Sequence, residues 1–66
     1  MKTSYFTFGQ SHVHRINGQL YDKDIVVKIT ATEPRELMVK HFGERWAMEY
    51  DKCPDLSLFP RGVFFV

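Results

Sequence analysis

Apolar and polar residues alternate with a period of two through the first half of the chain. In "SYFTFG", Phe6 and Phe8 fall on one side, and Tyr5 and Thr7 on the other. In "DIVVKITA", Ile25, Val27, Ile29 and Ala31 oppose Val26, Lys28 and Thr30. Such alternation in segments rich in β-branched and aromatic residues predicts two strands. Asn17-Gly18 lies between them and is a strong hairpin signal, because a type I′ turn needs positive φ at both central positions. A two-residue loop there pairs Ile16 with Gln19. It then sets Phe8 opposite Val27, Phe6 opposite Ile29 and Ser4 opposite Ala31, with Tyr5 opposite Thr30 and Thr7 opposite Lys28. The apolar faces of the two strands coincide in this register, and a one-residue slip would oppose them. Gly9 is a candidate bulge that would shift the register.

The period changes at "TEPRELMVKHFG". Pro34, Leu37, Met38, His41 and Phe42 recur at i, i+3, i+4, i+7 and i+8, the stripe of an amphipathic helix. Thr32 is the expected N-cap, with Glu33 and Pro34 in the first turn and Gly43 as the terminator. "RWAMEYD" returns to a period of two, with Trp46, Met48 and Tyr50 against Arg45, Ala47 and Glu49, and predicts a third strand. Continuing the helix through Gly43 to Tyr50 instead would cost about 1 kcal/mol for the glycine. "KCPDLSLFPRG" carries two prolines and reads as a loop, and "VFFV" as a short last strand. The expected architecture is a single α+β domain over residues 1–66, ordered β-β-α-β(-β). A small antiparallel sheet carries one helix on one face, and a long N-terminal hairpin turns at Asn17-Gly18. The expected sheet order is 2-1-3, or 2-1-3-4 if the terminal strand joins.

Element lengths add an expectation. A helix of about 10 residues is roughly 15 Å long, whereas a strand from Ser4 to Ile16 would span roughly 40 Å. The distal hairpin, bearing His12, His14, Tyr21 and Lys23, should therefore project beyond the core as an interaction arm.

Composition sharpens this picture. A 66-residue domain buries only about 60% of the surface its unfolded chain exposes. Such domains usually need a disulfide, a metal or a partner chain. Cys53 is the only cysteine, so no internal disulfide can form, and one free thiol fits a reducing compartment. The chain is 44% apolar, 15% aromatic and carries a formal net charge of +1. That excludes a disordered tail. It also lacks the basic footprint of a duplex-DNA binder and the charge of an acidic DNA mimic. No apolar run is long enough to span a membrane, and "MKTSYFTFGQ" lacks the apolar core of a signal peptide.

Candidate chemistry is sparse. His12 and His14 share parity with Phe6 and Phe8, and two imidazoles at i and i+2 on a strand can share an ion. His41, Asp22, Asp24 or Cys53 would have to supply a third ligand, but no second ligand pair occurs at recognisable spacing. The plainer reading is two solvent-facing histidines without a metal. His41, in the helix stripe, is expected at the core edge, bonded to backbone. Cys53 lacks a partnered base. Asp22, Asp24, Asp51 and Asp55 are scattered. There is no P-loop, GxGxxG or HExxH. No cofactor and no catalytic residue are expected. The aromatic set is Tyr5, Tyr21, Trp46, Tyr50, Phe59, Phe64 and Phe65. Beside Arg15, Lys28, Arg45 and Arg61, these rings suit either a protein hot spot or base stacking. They could equally fill one core and one self-association surface. The expected contact set is His12, His14, Arg15, Tyr21, Lys23, Tyr5, Lys28 and Trp46. A homodimer is also expected, because Tyr5, Val26 and Thr30 make the second sheet face apolar and "VFFV" is an uncharged edge.

The segments "YFTFGQSHVH" and "FGERWAMEYD" together resemble a family of small bacteriophage proteins. The likeness runs over most of the chain through Phe6-Thr7-Phe8-Gly9, His12, His14, Phe42-Gly43, Trp46-Ala47 and Tyr50. It assigns no catalytic residue. It implies a phage or prophage gene acting in the cytoplasm of a bacterial host, where small phage proteins often bind and disable host or defence machinery. Three functional expectations follow. The first is a non-enzymatic accessory protein that inhibits a host or defence protein. The second is a sponge for small signalling nucleotides, with Arg15, Lys23 or Arg45 holding phosphates. The third is a metal-dependent phosphoesterase using His12, His14 and an aspartate.

Overall fold

The computed structural model describes residues 1–66. The fold is α+β, in the order β1 (Lys2–Thr7), β2 (His14–Ile16), β3 (Gln19–Tyr21), β4 (Ile25–Ala31), α1 (Pro34–Phe42), β5 (Met48–Tyr50) and β6 (Gly62–Phe65). One 3₁₀ turn, Leu56–Leu58, lies in the last connection. The main sheet has the order β5-β1-β4-β6, and β2 and β3 form a separate two-stranded ribbon.

The hairpin turns where the sequence places it. Asn17 has φ 52 and Gly18 φ 81, and Ile16 pairs with Gln19. Beyond the ribbon the register shifts by two: Phe6 lies opposite Val27, not Ile29, and Tyr5 opposite Lys28, not Thr30. Between the two ladders, residues 8–13 oppose only residues 22–25. The extra length is taken up at Gly9 (φ 69) and the turn after it. An even shift leaves side-chain parity unchanged, so Phe6, Phe8, Ile25, Val27 and Ile29 still share one face. With Met38 and Phe42 of α1 they form the core.

The distal hairpin does not project. The break at Gly9 lets the ribbon fold back over the C-terminal end of α1, where Tyr21 and His14 pack edge-on against Phe42 at 5.0 and 5.2 Å. The molecule measures 27 × 24 × 18 Å, too short for the continuous 4–16 strand on which the projection rested. Folding back covers apolar surface that the short helix leaves open, which a domain with only 11 buried residues needs.

The fourth strand also departs from expectation, since β6 lies outside β4 and parallel to it. The sheet is therefore mixed. Two physical reasons agree. Strand β4, buried on both faces over Ile25–Val27, belongs in a sheet interior. The connection from β4 through α1 to β5 and the connection from β5 to β6 cross the sheet in opposite directions. Right-handed crossovers then put them on opposite faces. On the face away from α1, Val26 and Thr7 are buried as well.

Smaller differences are local. The residue before α1 is Glu33, not Thr32, and it makes no side-chain cap; Pro34 opens the helix and Gly43 ends it, its N–H donating to Val39 O. His41 is exposed, outside the core edge, because the buried stripe narrows to Pro34, Met38 and Phe42. The third predicted strand shrinks to Met48–Tyr50. Trp46 precedes it and turns to the helix side, donating Nε1–H to Gly43 O at 3.0 Å and meeting Phe6 edge-on at 5.1 Å. No helix is long and apolar enough to cross a membrane.

Candidate functional site: the open sheet face

Register brings four side chains into one row across the main sheet. Tyr50 of β5 pairs with Tyr5 of β1, Tyr5 with Lys28 of β4, and Lys28 with Phe65 of β6. Directly paired residues share a face, and this is the face away from α1. The Lys28 ammonium lies 5.8 Å from the Tyr5 ring centroid and 5.3 Å from that of Phe65, within cation–π range of both. At strand spacings near 4.8 Å the row spans roughly 14 Å. Beside it, Thr3 and Thr30 share a hydroxyl–hydroxyl hydrogen bond of 2.8 Å. On the other side, Met48 pairs with Thr7 and Val63 with Val26. Phe65 is 73% exposed, Met48 53% and Tyr50 38%. The result is a largely apolar surface with one cation near its centre.

The expected contact set divides. Tyr5 and Lys28 meet in the row. Trp46 lies on the helix side, with the Arg35 guanidinium 5.6 Å from its ring centroid. His14 and Tyr21 are part of the packing around Phe42 and Phe8. Arg15 is exposed on the ribbon, and Lys23 is bound to Asp24 at 3.0 Å, an interaction that raises the lysine pKa above its ordinary value of 10.5. Tyr50, Met48 and Phe65 were absent from the expected set. The alternation at 46–50 did mark Met48 and Tyr50, but Phe65 reaches Lys28 only because β6 pairs with β4.

The histidines are separately engaged. His12 Nδ1 donates to Phe8 O at 2.8 Å, and His14 Nε2 donates to Arg45 O at 2.8 Å. A carbonyl only accepts, so each bond fixes the proton on that nitrogen. No three His, Cys, Asp or Glu side chains gather as a metal-binding group. The 31-residue sequence separation between His14 and Arg45 hides this role from sequence inspection.

Two shallow grooves flank the helix. One, of about 400 Å³, runs between Arg35 and Met48 beside Trp46. The Arg35 fork is already occupied there, with Nε and Nη2 each 3.1 Å from Glu49 Oε1. The other, of about 510 Å³, lies beside Leu37 and Ala31. Neither gathers a nucleophile with a base. No buried side-chain nitrogen or oxygen lacks a partner.

No family model matches the chain, and neither curated proteins nor solved structures give a match.

Proposed function

We propose that the chain is a non-enzymatic accessory protein of a bacteriophage or prophage, which binds and disables a host or defence protein in the bacterial cytoplasm. The contact surface in this reading is the open sheet face around Tyr5, Lys28 and Tyr50. One observation carries the binding role: Phe65, Met48 and Tyr50 are exposed together on a face that holds a single lysine. Exposed apolar side chains gathered on one face of a small domain commonly mark an interface, and aromatic side chains are the usual anchors. The phage assignment rests on the sequence likeness. The ribbon no longer serves as an arm, because its aromatic side is packed against Phe42.

The test pairs plating with capture. Expression of the chain in a defended bacterium should restore phage plating, and the tagged chain should retain one host protein. Tyr5→Ala and Tyr50→Ala should lose both effects while keeping the fold, and Arg15→Ala on the ribbon should keep both. Full activity of the Tyr5 and Tyr50 variants would place the contact elsewhere.

The second reading, a small-nucleotide sponge, is favoured by the same row: aromatic rings beside a lysine on an open sheet can stack bases and meet a phosphate. Lys28 takes the phosphate-binding role expected of Arg15, Lys23 or Arg45, which lie outside the row. A tyrosine-fluorescence titration with cyclic oligonucleotides decides it, since quenching by none of them removes this reading.

A further inference from the structure

We propose that β6 is a self-pairing edge, through which two copies of the chain join antiparallel into one continuous eight-stranded sheet. The two edges of the sheet differ. At β5 the edge is only Met48–Tyr50, it carries Glu49, and Asp51, Lys52 and Pro54 follow it. Charge, brevity and proline are the means by which edges are kept from pairing. At β6, Pro60 and Arg61 precede the strand, but residues 62–66 themselves carry no charged side chain and no proline, so those two protections are absent along the edge.

Backbone geometry fixes a register. Val66 donates its N–H inward to Lys28 O. Successive residues of a strand point their backbone groups to opposite sides, so the N–H and C=O of Phe65 and Val63 point out to the free edge. In an antiparallel pair these outward groups meet when Val63 opposes Phe65 of the second copy and Phe65 opposes its Val63. The two-fold axis then passes beside Phe64, which meets its own copy as a non-hydrogen-bonded pair.

Side chains suit that register on both faces. On the open face, the 73% exposed Phe65 is flanked inside its own sheet by Lys28, and its outer flank would be filled by Val63 of the second copy. On the helix face, Phe64 is half-buried with its ring 5.7 Å from Tyr21, and the symmetric contact would join both pairs of rings into one aromatic cluster. A second copy is also the occupant that a small core favours, because self-association stabilises the folded state by mass action.

The experiment is sedimentation of the untagged chain at micromolar concentration, combined with amide exchange. The expected mass is twice 7.8 kDa. The Val63 and Phe65 amides should gain protection as concentration rises, whereas Phe64 and Val66 are protected throughout. Phe65→Lys, which puts a charge at the contact, should raise the dimer dissociation constant about tenfold or more. Val63→Pro, which removes an outward N–H and no internal bond, should act alike. A mass of 7.8 kDa at all concentrations overturns the proposal, as does a dimer that both variants leave intact.

Discussion

Gly9 is the residue on which the N-terminal segment turns. Its φ is 69, and a Cβ there would sit 3.2 Å from Ala47 Cβ, whereas Gly18, with φ 81, has open space around it. Both positions carry the left-handed penalty of roughly 1–2 kcal/mol for a residue with a Cβ, but only Gly9 adds a clash. Gly9→Ala should therefore lower the urea midpoint more than Gly18→Ala does, and equal midpoints would contradict the close approach. Asp55 shows a second local device. Its carboxylate accepts the Ser57 N–H at 3.0 Å and caps the 3₁₀ turn, and that backbone bond holds its carboxyl below the ordinary 3.8. A lowered folded-state value means that the contribution is complete above the unfolded value and is lost as pH falls through the folded one. Carbon-detected titration should give an Asp55 midpoint below 3.8, with the Ser57 amide shift following it. A midpoint at or above that value would mean the cap is not formed in solution.

Among the elements, the β2–β3 ribbon depends most on contacts distant in sequence. Tyr21 meets Phe42, Phe64 and Phe8, and Arg61 also holds the ribbon, donating to Leu20 O at 3.0 Å and to Asp22 Oδ1 at 3.3 Å. Tyr21→Ala should cost about 2–3 kcal/mol, below the range for a fully buried ring because Tyr21 is half-buried. Arg61→Met, which removes both hydrogen bonds and the guanidinium 5.6 Å from the Phe64 ring centroid, should cost about 1–2 kcal/mol, and Arg15→Ala under 0.5 kcal/mol. Chemical denaturation ranks the three, and an Arg15 loss as large as that of Tyr21 would contradict the docked ribbon. The ribbon also marks where the sequence was readable. The turn at Asn17-Gly18 and the parity of Phe6, Phe8 and Val27 follow from local chemistry and period, so they were legible. The fold-back was not, because Gly9 permits a bend without stating its direction. The direction comes from Phe42, uncovered at the end of a helix whose own stripe does not name its partner. Trp46 misled for a related reason: alternation assigned it to the Met48 side, but its indole N–H finds Gly43 O before the strand begins.

At the level of the whole molecule, the row Tyr50–Tyr5–Lys28–Phe65 is a product of topology. Its members come from four strands, and the last joins only after the chain has crossed the sheet twice in opposite directions. This makes β6 more than a trailing segment. It shields the outer edge of β4 over Ile25–Lys28, brings Phe64 to Tyr21, and completes the cation–π pair around Lys28. A chain ending at Arg61 would leave the most apolar strand as a bare edge. It would lose a parallel ladder and a half-buried ring, together several kcal/mol, comparable to the roughly 5 kcal/mol at the low end of domain stability. We therefore expect the chain truncated after Arg61 to lose its cooperative thermal transition at neutral pH and to scatter light at micromolar concentration, because β4 would then pair between molecules. Adding residues 62–66 back as a separate peptide in excess should partly restore the transition, since its binding energy would again be available to the folded state alone. A truncated chain that melts as sharply as the full one would show that β4 needs no outer neighbour.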